Sequence, residues 1–136
     1  MNTIKFRFFL ILFLAFGYNS QAQITYDGCS SNINGSPYTL VANGTTNDGG
    51  TIRNTYTSVG YPACSAGACR IEVIWSIANS RWEIHLDNDG PGPGFSTNFL
   101  LHTNTSASVP NPPDLSLGTW VGQNGCTGIA TFSGDV

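Results

Sequence analysis

Arg70-Ile71-Glu72-Val73-Ile74-Trp75-Ser76-Ile77-Ala78-Asn79-Ser80-Arg81-Trp82-Glu83-Ile84-His85-Leu86-Asp87 decides the fold. Ile71, Val73, Trp75 and Ile77 occupy alternate positions, as do Trp82, Ile84 and Leu86. Side chains on a strand point to opposite faces in turn, so each run presents one apolar face. Ala78-Asn79-Ser80 lies between the runs, and Asn tolerates the left-handed backbone that turns need. The stretch therefore reads as a β-hairpin.

Charge selects the register. Setting Trp75 against Trp82 also sets Val73 against Ile84 and Ile71 against Leu86. On the other face it opposes Arg70 to Asp87, Glu72 to His85 and Ser76 to Arg81. Such cross-strand pairs contribute roughly 0.2–1 kcal/mol each. A slip of two residues would oppose Glu72 to Asp87, which is repulsive. The first register is expected, with the turn at Ile77 to Ser80.

Two functional readings attach to the hairpin. Trp75 and Trp82 suit a sugar-stacking platform, but they share a stripe with Val73, Ile84 and Leu86, which predicts a buried face. Glu72 and Glu83 invite comparison with the paired carboxylates of glycoside hydrolases. Interleaved with Arg81 and His85, they read instead as a solvated, charge-balanced sheet face.

Ahead of the hairpin, Lys5 and Arg7 precede the apolar run Phe8 to Phe16, and Ser20-Gln21-Ala22 ends in a small residue. This is the pattern of a cleaved secretory signal peptide over residues 1–22. The run is too short to span a bilayer, which takes roughly 20 residues. The Ala22-Gln23 junction is like those of exported bacterial proteins. Removing 22 of the 136 residues leaves 114, a size suited to one domain, expected over 23–136 with no membrane span. That part holds three Arg, no Lys and eight acidic residues, a net charge of −5. Nucleic-acid binding needs clustered cations and is not expected.

An exported chain meets an oxidising compartment, so Cys29, Cys64, Cys69 and Cys126 are expected in disulfides. Of three connectivities, Cys64–Cys69 and Cys29–Cys126 are favoured: one closes a short loop, the other ties the domain ends. A zinc site from Cys64, Cys69, His85 and His102 is the alternative, and it would need reduced thiolates outside the cell.

Elsewhere the chain alternates β-formers with turn residues, and no helical period runs over ten residues. Ile24–Asp27, Tyr38–Ala42, Thr51–Ser58, Phe95–Thr103 and Gly128–Ser133 read as strands, and Leu115–Val121 returns to apolar alternation. Asn43 to Gly50 is dense in turn residues, and Val109-Pro-Asn-Pro-Pro-Asp114 imposes extended backbone. The fold class is all-β: about seven short antiparallel strands in a small disulfide-bonded sandwich or barrel.

Asp87-Asn88-Asp89 gathers carboxylate and amide oxygens, which suit calcium. Asp87 and Asp89 are the candidate metal ligands, and Asp87 and Asn88 candidate ligand-binding residues. Trp120 either packs on the hairpin face or stands at a ligand surface. No catalytic serine elbow, zinc-protease helix, phosphate loop or dinucleotide fingerprint occurs.

The succession W-S-I…R-W-E-I, F-L-L-H-T-N, P-N-P-P and L-G-T-W resembles small cysteine-containing β-modules of bacterial secreted and cell-surface proteins. Such modules sit within longer adhesive or enzyme-bearing chains. Export, three Trp and five Tyr, low charge, a loop-rich β architecture and the lack of a catalytic motif point to a non-catalytic extracellular module for adhesion, or for binding a glycan or surface polymer. The alternatives are a structural spacer and a small secreted hydrolase using Glu72, Glu83 or His85. No cofactor is expected beyond calcium.

Overall fold

The computed structural model describes residues 22–29, 33, 36–64, 67–87, 99–127 and 130–134. Residues 1–21, with nearly all of the expected signal peptide, and 88–98, with Asn88 and Asp89, lie outside the described set.

The central hairpin forms as charge and apolar pairing dictate. Strand β6 (Arg70–Ser76) pairs with β7 (Arg81–Asp87), with Trp75 opposite Trp82, Glu72 opposite His85 and Arg70 opposite Asp87. The turn occupies 77–80. Its left-handed residue is Ser80 (φ 50°) rather than Asn79, whose amide instead donates to Ser76 Oγ (3.0 Å) and Glu83 Oε1 (3.0 Å).

Around this hairpin lie β1 (Gln23–Asp27), β2 (Tyr38–Asp48), β3 (Thr51–Ser58), β8 (Phe99–Asn104), β9 (Val121–Gly122) and β10 (Thr131–Gly134). They form one eight-stranded sheet in the order β10-β1-β2-β3-β6-β7-β8-β9, antiparallel throughout. A bridge between Trp120 and Ala130 joins its two ends, so the sheet curls into a barrel-like all-β fold. A two-stranded ribbon, β4 (Ala63–Cys64) with β5 (Gly67–Ala68), stands outside it.

Two elements depart from expectation. Asn43 to Asp48 is not turn but the second half of β2, which crosses a bulge between Ala42 and Gly44 and pairs down to Asp48 opposite Thr51. The turn shrinks to Gly49-Gly50, both at positive φ (58° and 93°), where glycine carries no steric cost. Leu115–Leu117 is a turn of 3-10 helix rather than strand, capped by the Asp114 carboxylate accepting from Ser116 N–H (2.8 Å).

The barrel's two ends differ in kind. The Gly49-Gly50 turn, the 77–80 turn and the long 105–120 connection share one end, the turn end. The opposite, disulfide end holds Cys29–Cys126 (Cα–Cα 4.9 Å) and Cys64–Cys69 (Cα–Cα 5.9 Å), the pairing expected from the sequence.

The interior is aromatic. Tyr26, Tyr56, Trp75, Trp82, Trp120 and Phe132 are buried in one cluster, with Trp75 edge-on to Trp82 at 5.8 Å and Trp120 against Phe132 at 5.1 Å. The Arg53 guanidinium lies 3.8 Å from the Trp75 ring centre, and Trp75 Nε1 donates to Asp48 (2.9 Å). His102 is fully buried beside the disulfide, 3.6 Å from Cys126 Sγ, with Tyr26 Oη 3.1 Å from its Nδ1. Burial pushes the Tyr26 phenol well above its ordinary value, so it stays protonated.

The two disulfides close loops of very different length, with sequence separations of 97 and 5. From loop-closure entropy, Cys29→Ser with Cys126→Ser is expected to cost about 4.7 kcal/mol, and Cys64→Ser with Cys69→Ser about 2 kcal/mol. Urea denaturation of the two double variants checks this ordering; equal losses would refute it.

Candidate functional site

The outward face of the hairpin is charge-balanced, as the sequence implied, but not solvated. Glu83, His85 and Asp87 are 5%, 7% and 2% exposed. Glu83 accepts from Arg81 Nε (2.8 Å) and Asn79 Nδ2 (3.0 Å) on one oxygen, and lies 2.9 Å from His85 Nε2 on the other. Burial alone would raise the Glu83 pKa, but the Arg81 and His85 hydrogen bonds outweigh it and hold the carboxyl below its ordinary value. Glu72, opposite His85, is shifted upward by desolvation, against the smaller pull of Arg70 and an Asn43 hydrogen bond.

Glu83 and His85 make a carboxylate-oriented imidazole, the base-and-orienter half of a nucleophilic site. His85 Nδ1 is buried without a hydrogen-bond partner among the described residues, so none of them sits on it as a nucleophile. Glu72 and Glu83 are not a matched pair: one is destabilised as an anion, the other stabilised.

The turn end offers a different arrangement. Its long connection is fastened to the barrel at several points. Asn54 N–H donates to Pro110 C=O (2.7 Å). Asn111 Oδ1 accepts from Tyr56 Oη (2.6 Å) and Asn54 Nδ2 (2.8 Å). Trp120 Nε1 donates to Pro113 C=O (3.1 Å), and Ser108 Oγ to Asn111 C=O (2.9 Å). Prolines keep the intervening backbone extended.

The fastened loop shapes an open depression of about 290 Å³ lined by Ser108, Val109, Pro110, Asn111, Pro112, Asp114 and Leu117. Val109 and Leu117 are exposed, as are Ile52 near the start of β3, Ile77 in the 77–80 turn and Val121 at the start of β9. Hydrogen bonds from the Ser116 side chain and backbone hold the exposed Asp114 carboxyl below its ordinary value, which keeps an anionic acceptor at the rim. The sequence marked this loop only as extended. Its tie through Asn111 had no local signal, because Asn54 and Tyr56 lie over fifty residues away.

The residues singled out from sequence do not converge. Trp120 is 2% exposed and faces the interior, packing on Phe132 rather than standing at a ligand surface. Asp87 is buried at the disulfide end, paired to Arg70 (3.3 Å), while Asn88 and Asp89 lie outside the described residues. The zinc alternative does not survive, since Cys64 and Cys69 are bonded to each other. Among the described residues, no group of three or more His, Cys, Asp or Glu is placed to hold a metal ion. No helix among them is long and apolar enough to cross a membrane.

The chain matches no family model, no curated protein and no solved structure.

Glu83 gives a test of the outer cluster. A depressed carboxyl pKa stabilises the fold above the ordinary carboxylate range, and that contribution is lost as pH falls through it. Glu83→Gln is expected to cost about 2 kcal/mol at neutral pH and less at acid pH, because it strands Arg81 and His85. Chemical denaturation across the acid range measures it; a pH-independent loss would refute the assignment.

Proposed function

We propose that this is an exported, non-catalytic extracellular module that binds a glycan or other surface polymer through the turn end of its barrel. The carrying observation is the depression between Val109 and Leu117, held by a loop tied to the barrel at Asn54, Tyr56 and Trp120. A pre-formed concavity costs little ordering on binding. Its apolar walls suit the faces of sugar rings, and Ser108, Asn111 and Asp114 supply polar atoms for hydroxyl groups.

Disulfide bonding is compatible with export, as is an acidic surface that keeps the domain dispersed. The hydrolase alternative rests on Glu83 and His85, and would require a water or substrate hydroxyl to reach the buried Nδ1. Calcium remains part of the proposal only through Asp87, at the opposite end from the depression, while Asp89 lies outside the described residues.

The test is a glycan and cell-wall polymer array, probed with the oxidised domain in calcium and in chelator. Binding that falls about tenfold in the Val109→Ser, Leu117→Ser double variant is expected, with no effect of chelator. Binding lost to chelator would move the site to the Asp87–Asp89 segment. Failure to bind any polymer would overturn the reading in favour of a spacer.

A further inference from the structure

Three side chains near one end of the barrel carry buried N–H groups without partners among the described residues: Arg53 Nε, Trp82 Nε1 and Asn104 Nδ2. Their residues are 6%, 0% and 4% exposed. The three belong to one layer. Trp82 stands opposite both Trp75 on β6 and Asn104 on β8, and the Arg53 guanidinium rests on the Trp75 ring. The layer lies at the turn end, where Asp48 closes β2 and where a Cβ added at Gly118 of the long connection would stand 3.9 Å from Asn104 Nδ2.

All three groups are donors. An unsatisfied buried donor costs roughly 1–3 kcal/mol, so three in one layer call for acceptor atoms supplied from outside the chain. Arg53 Nη1 is 3.7 Å from Asp48 Oδ2, close enough to balance its charge but too far to be a hydrogen bond. That carboxylate also takes the Trp75 N–H. An incoming anion would leave the layer with uncompensated negative charge, which burial penalises. A neutral carbonyl oxygen brings two lone pairs and no charge.

We propose that this layer is a binding site for a neutral carbonyl group of the amide class, such as the acetamido group of an N-acetylated sugar. Trp82 and Asn104, directly opposite each other on β7 and β8, donate to the oxygen's two lone pairs, and the Arg53 guanidinium borders the group across the Trp75 ring. The site is separate from the outer depression, since none of the three residues lines it. It rests on the glycan reading only for the choice of sugar.

The experiment uses the ¹⁵N-labelled, oxidised protein and follows its indole N–H signals during titration with N-acetylglucosamine. Movement of the Trp82 signal is expected, with smaller changes at Trp75 and Trp120, whose N–H groups already donate to Asp48 and Pro113. N-methylacetamide should move the same signal, whereas glucose and acetate should not. Asn104→Leu is expected to weaken binding about tenfold, one hydrogen bond's worth. Trp82→Phe, which keeps a ring and removes the donor, serves as the second variant.

An unmoved Trp82 signal, with a cross-peak from that N–H to water, would mean structural water only and overturn the proposal. So would an equal response to acetate or glucose, or unchanged affinity in either folded variant. Val109→Ser with Leu117→Ser should leave the Trp82 response intact, so failure here and failure of polymer capture are read separately.

Discussion

Everything in the barrel depends on Trp75 facing Trp82. The pairing places two large rings on one side of the hairpin, and strand alternation then commits every neighbour to inside or outside. Val73, Ile84, Ile71 and Leu86 follow inward. Arg70, Glu72, His85 and Asp87 follow outward. A slip of one residue would invert both sets, burying four charged or titratable groups in an aromatic core. The charge pairs on the outer face reinforce the same register, so apolar and electrostatic terms agree.

The outer face then faces a demand of its own. β7 is buried on both sides, unlike the usual half-wet antiparallel strand. Its carboxylates persist there because each has a cation or imidazole beside it: Arg81 and His85 for Glu83, Arg70 for Asp87. Such pairs fix geometry more than they add stability, since desolvation offsets most of their attraction. The turn end repeats the theme where Arg53 lies between the partly exposed Asp48 and the Trp75 ring.

Fold class, central register and the presence of disulfides were legible because each rests on a local pattern or on the chemistry of cysteines in an exported chain, whereas their pairing was one favoured choice of three until the fold brought Cys29 to Cys126. Trp75 and Trp82 sit in clean period-two runs, and the Glu72–Asp87 repulsion eliminates the rival register. The outer half of β2 was not legible, because Asn43 to Asp48 has the composition of a turn and is held as strand by its partner β3. Burial of Glu83 and His85 was hidden for the same reason: solvation depends on what covers a face, not on the strand's own alternation. The turn-end depression depends on Asn111 meeting Asn54 and Tyr56, a contact that exists only after the barrel closes. Trp120 could be argued inward or outward until closure at Ala130 placed it.

The disulfide at one end acquires a mechanical meaning from the strand order. Gln23 opens β1 and Gly134 closes β10, and in this antiparallel pair the two lie side by side, with Ile24 opposite Gly134. Tension applied between the flanking segments therefore peels β1 from β10 one hydrogen-bonded pair at a time, as a zipper opens. The peeling runs the length of two short strands and meets Cys29–Cys126. Beyond that crosslink the load passes through sulfur alone. The chain between the two cysteines, with the central hairpin and the fastened loop, stays out of the force path and keeps its shape while its tether is stretched.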